Sequence, residues 1–193
     1  MEPIRLHAFE RCSAANGPGR RCVAWFQGCT LGCKGCFNPE THTGPPRRVV
    51  TVEALLEEIV SHDSHDGLEG LTVTGGEPFQ QPEALLALLR AVRRATELSV
   101  LVFSGYTLPE IERQPNGSPA LEQIDVLIAG RYLPGSRLAR GLLGSENQTV
   151  HLLTTRYRAD EVASTPDAEV IIDPTGRVTL SGVNPLRVAR PQS

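Results

Sequence analysis

Two hydrophobic periods divide the chain. Cys22-Val23-Ala24-Trp25-Phe26 is an uncharged run of β-branched and aromatic residues that Gly28 ends, and it predicts a short buried strand. From Val52 the apolar residues Leu55, Leu56, Ile59 and Val60 recur at helical spacing while Glu53, Glu57 and Glu58 fall on the other face. This predicts a helix that ends in the polar turn Ser61 to Asp66. Leu71-Thr72-Val73-Thr74 predicts a second strand closed by Gly75-Gly76, and Pro82 suits the first turn of a leucine-rich helix reaching about Arg94. The strand signal returns at Leu98 to Phe103, a weaker helical one at Leu108 to Glu112, and a further strand at Asp125 to Ala129. Val150 to Leu153 and Glu169 to Asp173 predict late strands, the second turning through Pro174-Thr175-Gly176 into Arg177 to Leu180 as a hairpin. Proline and polar residues make Gly44 to Arg48 an exposed loop and Val188 to Ser193 a loose tail.

Strands that alternate with helices favour an α/β fold with a mainly parallel sheet. Right-handed crossovers then gather the strand-to-helix loops at the carboxyl edge of that sheet, where such proteins bind ligands. The 193 residues, 40% of them hydrophobic, suffice for one core, so a single domain spanning residues 1–193 is expected. A formal net charge of -3 with 21% charged residues gives no single-sign field for nucleic acid or an anionic membrane. No apolar run is long enough to span a bilayer, and Met1-Glu2-Pro3-Ile4-Arg5 lacks the order of a secretion signal, so a cytoplasmic location is expected.

In such a compartment five cysteines, three of them within eight residues, suit a metal site better than disulfides. Cys29, Cys33 and Cys36 on one compact loop would ligate three corners of an iron-sulfur cubane and leave the fourth iron open. The same three thiols with His42 would equally make a tetrahedral zinc site that pins the loop. Cys33-Lys34-Gly35-Cys36 also has the spacing of a redox pair, which the third nearby thiol makes the weaker reading.

The run Cys29-Thr30-Leu31-Gly32-Cys33-Lys34-Gly35-Cys36 resembles the C-x-x-x-C-x-x-C signature of the radical S-adenosylmethionine superfamily. Its surroundings, Asn16-Gly17-Pro18-Gly19-Arg20-Arg21, Phe26-Gln27-Gly28 and Phe37-Asn38-Pro39-Glu40-Thr41, resemble the activating enzymes of anaerobic ribonucleotide reductase. Gly75-Gly76-Glu77-Pro78 is similar to that family's second landmark, and Asp125 to Ile128 with Gly144-Ser145-Glu146-Asn147-Gln148 to its later ones. The likeness covers about residues 4–155, and Arg137 to Leu143 departs from the family's wording.

The resemblance implies an open, partial β/α barrel holding a 4Fe-4S cluster on Cys29, Cys33 and Cys36, with S-adenosylmethionine bound beside it. It places the backbone around Gly35, Cys36 and Phe37 near the adenine and Gly75, Gly76 and Glu77 near the methionine amino group, where exposed carbonyls accept hydrogen bonds. Ser104, Asn147 and Gln148 offer neutral polar groups for ribose or carboxylate. The implied partners are a large glycyl-radical enzyme, with anaerobic ribonucleotide reductase foremost, and a flavodoxin or ferredoxin-type electron donor. A stand-alone radical enzyme acting on a metabolite or peptide, and a non-catalytic zinc module, are the competing readings. Taken singly, several of these residues have plainer roles: Gly75-Gly76 a turn, Glu77 a helix-entry carboxylate, Phe37 a lid on its own loop. Cys22 reads as a small buried hydrophobe, Cys12 as incidental, and His62 with His65 as a solvated surface.

Overall fold

The computed structural model describes residues 3–172, 175–176 and 178–184. Asp173, Pro174 and Arg177 of the expected hairpin turn, and the expected tail at 188–193, lie outside the described residues.

The strands are β1 (Ile4–Ser13), β2 (Arg21–Phe26), β3 (Arg48–Val50), β4 (Gly70–Gly75), β5 (Ser99–Ser104), β6 (Val126–Ala129) and β9 (Thr149–Leu152), which form one seven-stranded sheet in the order β3-β1-β2-β4-β5-β6-β9. Two short pairs stand apart from it: β7 (Arg137–Arg140) with β8 (Leu143–Ser145), and β10 (Glu169–Ile172) with β11 (Val178–Ser181). The helices are α1 (Val52–Asp66), α2 (Pro82–Ala95), α3 (Leu108–Glu112), α4 (Gly117–Leu121) and α5 (Ala159–Ala163). Neighbours β2-β4, β4-β5 and β5-β6 are parallel, whereas β1 is antiparallel to both β2 and β3, and β9 to β6. Strands β2 to β6 therefore share one direction, and β1 and β9 oppose it.

The two faces of the sheet follow from the period of two in its strands. Cys22, Ala24, Phe26, Leu71, Val73, Val100, Val102, Leu127 and Ala129 point to one face and form a single core with the buried sides of α1 and α2. Helix α1 starts where the Thr51 hydroxyl accepts the Ala54 N–H at 3.1 Å and stops at Gly67, whose φ of 59° suits glycine. It thus absorbs Ser61 to Asp66, expected as a turn: His62 lies 3.8 Å from Asp66 and stacks on Phe9, while the His65 ring meets the Ser61 carbonyl. Leu101, Val126 and Ile128 point the other way and pack on Leu142 and Val162. Trp25, Thr74 and Phe103 share that second face and remain only half-buried.

Three features depart from the sequence expectations. Residues 4–13 form the longest strand, part of the expected loop 44–48 ends in edge strand β3, and the last strand of the main sheet, β9, returns antiparallel. Strand β1 was hidden because only Ile4 and Leu6 alternate cleanly, with His7 to Glu10 half-buried on both faces.

Candidate active site

The three cysteines follow β2 at the carboxyl edge of the parallel strands. The Gly28 N–H donates to the Thr41 carbonyl at 2.8 Å and the Cys29 N–H to the His42 carbonyl at 3.1 Å, so the loop returns on its own base. Gly32 and Gly35 turn it with φ of 64° and 70°, and the Cys36 N–H closes on the Cys33 carbonyl at 3.2 Å. Cys29, Cys33 and Cys36 are free and half-buried. Burial pushes the Cys29 and Cys36 thiols up, and neighbouring thiolates add to it, those of Cys36 and Cys33 at Cys29 and that of Cys33 at Cys36. Positive charge among the three removes that mutual repulsion, so the trio fits a cationic iron core. Among the described residues no three His, Cys, Asp or Glu side chains close into a group for a single metal ion. A cubane binds its thiolates at separate irons and so takes them at wider spacing than one ion does. His42 contributes its carbonyl to the loop base.

The Gly75-Gly76-Glu77 run is stitched to the end of β2. Gly75 has a φ of 103°, and a Cβ on it would lie 2.5 Å from the Phe26 nitrogen and 2.6 Å from its carbonyl oxygen. A Cβ on Gly76 would collide with the Gly28 carbonyl, and the Glu77 N–H donates to that same carbonyl at 2.9 Å. Both glycines are therefore demanded by the close approach of protein backbone one to three residues before Cys29.

Glu77 is completely buried and spends both carboxylate oxygens on protein. Oε1 accepts from the Phe79 N–H at 3.0 Å and the Ser104 hydroxyl at 2.9 Å, and Oε2 from the Gly105 N–H at 2.7 Å. The carboxylate thus clamps the loop after β4 to the loop after β5. Burial pushes its pKa up to about 7 from the ordinary 4.5, against the three hydrogen bonds and the Arg131 charge, which pull it down. Because the folded value lies above the unfolded one, the folded state holds the extra proton between them, and stability falls as pH rises from 4.5 to about 7. The expected loss is on the order of 3 kcal/mol across that window and nothing beyond it. Urea unfolding of cluster-free protein from pH 5 to 8 measures it; Glu77→Gln should remove this slope, and an equal slope in both proteins would acquit Glu77.

Three other expected contacts are committed elsewhere in the protein. The Ser104 hydroxyl, which donates to Glu77, also accepts the Tyr106 N–H at 3.0 Å, so it is a link of the clamp. Asn147 accepts from the Ser145 hydroxyl at 2.8 Å and donates to the Arg131 carbonyl at 2.8 Å. Gln148 accepts from the Gly144 and Ser145 N–H groups at 2.8 and 3.1 Å and donates to the Gly130 carbonyl at 2.9 Å, tying β8 to the end of β6. Sequence alone showed only that these side chains are polar, and the Glu77 carboxylate and the Arg131 and Gly130 carbonyls to which they donate belong to other segments.

Phe37 packs against residues that follow β6. Its ring tilts on Tyr132 with centroids 4.7 Å apart, lies 5.2 Å from the Arg137 guanidinium carbon, and would be 2.5 Å from any Cβ on Gly144. Phe37 and Asn38 line a cavity of about 590 Å3 on the second face of the sheet. Trp25, Thr74 and Phe103 give its floor, His7, Ala8 and Glu10 one side, Gly144 and Gln148 another, and Ile171, Thr179 and Ser181 a third. Its size is that of a small-molecule site. Trp25 and Thr74, paired across β2 and β4, are out of phase with the core residues of those strands. The wall from 171 to 183 carried no sequence signal of its place there.

Asn16 reaches the cavity, but Gly17 to Arg21 lies at the amino end of β2, the opposite end of that strand from Cys29. This glycine stretch, part of the family resemblance, wraps the Arg21 side chain, since a Cβ on Gly17 would lie 2.7 Å from Arg21 Cδ. Cys22 is buried near the Gly70 carbonyl with its thiol pushed up to about 12 by burial, and Cys12 is half-buried on β1. Neither belongs to the cysteine loop.

The family of 4Fe-4S single cluster domains matches residues 15–151, a span holding all three cysteines of the loop and the Gly75-Gly76-Glu77 clamp. The anaerobic ribonucleoside-triphosphate reductase-activating protein of Enterobacteria phage T4 is 34% identical over 143 residues, covering 71% of this chain and 86% of that protein. Its counterpart from Vibrio cholerae is 31% identical over 159 residues, covering 78% of this chain and 99% of that protein. The chain belongs to this activating-protein family. The pyruvate formate-lyase 1-activating enzyme of Escherichia coli is also similar, at 30% identity over 145 residues, covering 74% of this chain and 58% of that enzyme. As a member of the activating-protein family the chain is a radical S-adenosylmethionine enzyme of the glycyl-radical-activating type, and its cofactors are a 4Fe-4S cluster and S-adenosylmethionine. The zinc reading of the cysteine loop gives way to the cluster. No helix among the described residues is long and apolar enough to cross a membrane.

Proposed function

We propose that this activating enzyme takes a hydrogen atom from one backbone glycine of an anaerobic ribonucleotide reductase. The observation that carries this reading is the junction of loop and cavity: Phe37 and Asn38, the two residues after Cys36, line a space floored by the second face of the parallel strands. Cys29, Cys33 and Cys36 would hold the cluster, and their half-buried thiols leave the loop accessible from outside. When bound, the cluster supplies the electron that cleaves S-adenosylmethionine to a 5'-deoxyadenosyl radical.

The protein's own part is placement. Gly35 and Cys36 would present backbone to the adenine and Phe37 would cover it, while Gly75, Gly76 and Glu77 would offer backbone carbonyls to the methionine amino group. Ser104, Asn147 and Gln148 act through the loops they fix, so a side-chain contact from them to the cofactor is not part of this proposal. The sheet is read as a partial barrel that curves around the cavity, with its open side facing the partner. A low-potential flavodoxin or ferredoxin-type protein would deliver the electron, and free thiols with an oxygen-labile cluster suit a reducing cytoplasm.

The test is anaerobic reconstitution with iron and sulfide, then mixing with reductant, S-adenosylmethionine and the cognate reductase. The expected result is a glycyl-radical doublet on the reductase and 5'-deoxyadenosine that carries deuterium when the reductase glycines are α-deuterated. Conversion of a metabolite or short peptide, with no radical on the reductase, would replace this reading with the stand-alone enzyme.

A further inference from the structure

The wall of the cavity contributed by β10 and β11 lies outside residues 15–151, the span of the 4Fe-4S single cluster family. The hairpin and the matched span together bound the cavity. The hairpin is fastened at several points. Glu169 accepts from the Ser13 hydroxyl, and from the Ala14 N–H at 2.8 Å, while Asn16 Nδ2 donates to the Ser181 hydroxyl at 2.6 Å. Arg137 of β7 donates to Asn184 at 2.9 Å, just past the hairpin.

Pairing fixes which side chains face inward. Glu169 stands opposite Ser181 and Ile171 opposite Thr179, and this face meets Ser13, Asn16 and the cavity. Val170 and Ile172 fall on the other face, exposed at 46% and 67%, and their partners Leu180 and Val178 reach the rim of the cavity. The inward pair Ile171 and Thr179 carries no charge and shares the cavity with Trp25 and Phe103 of the sheet, while Glu10, Glu40 and Arg47 line it elsewhere. The uncharged pairs Ile171 with Thr179 and Trp25 with Phe103 fit an extended, uncharged backbone segment, and a charged side chain placed among those four would lose its hydration.

We propose that the β10-β11 hairpin is the substrate-selecting wall of this site, with Ile171 and Thr179 bounding the space that the partner's uncharged glycine segment fills. Glu169 and Asn16 are positioning residues that hold the wall against β1. The inference rests on the activase reading and adds the element that chooses the segment.

The experiment uses the full reconstituted chain and its reductase, comparing wild type with Thr179→Trp, Glu169→Ala and Glu169→Gln. Thr179→Trp fills that space, so the radical yield on the reductase should fall about tenfold or more, while iron content, S-adenosylmethionine affinity and partner-free 5'-deoxyadenosine formation stay within about twofold. Glu169→Ala loosens the wall, so the reductase concentration for half-maximal activation should rise about tenfold with the maximal rate little changed, and Glu169→Gln should recover part of it. A wild-type radical yield in Thr179→Trp overturns the proposal, as does a parallel fall of cluster, cofactor affinity and activation, which marks mere structural damage. If wild type itself puts no radical on the reductase, the activase reading fails first, and the selecting wall falls with it.

Discussion

Alanine at any one of Cys29, Cys33 or Cys36 is expected to leave a folded protein whose iron content drops from about four per chain to less than one after gel filtration. The fold should survive because none of the three belongs to either hydrophobic core. Their loop is built from backbone bonds, Gly28 to Thr41, Cys29 to His42 and Cys36 to Cys33, that need no thiol. The cluster should not survive, because its fourth iron is left for the cofactor and the loss of one thiolate exposes a second. Cys12→Ala and Cys22→Ala supply the contrast. Both should keep the cluster, and Cys22→Ala should cost roughly 1 to 2 kcal/mol of stability for the buried volume it gives up. Iron and sulfide analysis with electron paramagnetic resonance decides between the groups. A spare cysteine that proved essential, beside a dispensable one among the three, would undo the ligand assignment.

The parts of this site legible in sequence are those whose chemistry is local. Three thiols on one loop, a glycine pair at a strand end and a strand-helix alternation can be read without knowing which segments meet. The central strands β2, β4, β5 and β6 with helices α1 and α2 were visible for the same reason, since each carries its own period. What escaped depends on meetings across long stretches of chain. Glu77 and Ser104 were both singled out, yet their bond to each other, spanning 27 residues, makes them one clamp. Gly76 shows in sequence as half of a strand-end glycine pair, but the Gly28 carbonyl that crowds it does not. Gln148 shows in sequence only as a neutral polar side chain, and in the fold it bridges β8 to the end of β6. A side chain's donors and acceptors are countable from sequence, but which backbone groups engage them is a property of topology.

Arg21 is the extreme case of such hidden pairing and the source of the second large effect. Its guanidinium is fully buried, and burial holds its pKa below the ordinary value. It donates through Nε to Thr72 at 2.8 Å, through Nη1 to the Pro18 carbonyl, Ser99 and Tyr157, and through Nη2 to the Leu71 and Ser99 carbonyls at 2.8 and 3.2 Å. Every one of these partners is a neutral oxygen. The charge is thus dispersed over carbonyl and hydroxyl dipoles, and Gly17 and Gly70 supply the room, since a Cβ on Gly70 would strike the guanidinium. Two effects oppose one another on Arg21→Ala. Relief of the buried charge favours the variant, but it leaves several buried acceptors unpartnered, at about 1 to 3 kcal/mol each, and opens a cavity the size of a long side chain. Several lost bonds outweigh one relieved charge, so a net loss of about 4 kcal/mol or more is expected, a large share of a typical domain's 5 to 15 kcal/mol. Arg21→Met should recover part of this by filling volume, and Arg21→Lys little, because one ammonium cannot reach partners spread over Pro18, Leu71, Thr72 and Ser99. Urea unfolding of the cluster-free proteins measures the order. If alanine cost less than about 1 kcal/mol, or if lysine matched arginine, the dispersed hydrogen bonds would not be what holds the amino ends of β2, β4 and β5 together.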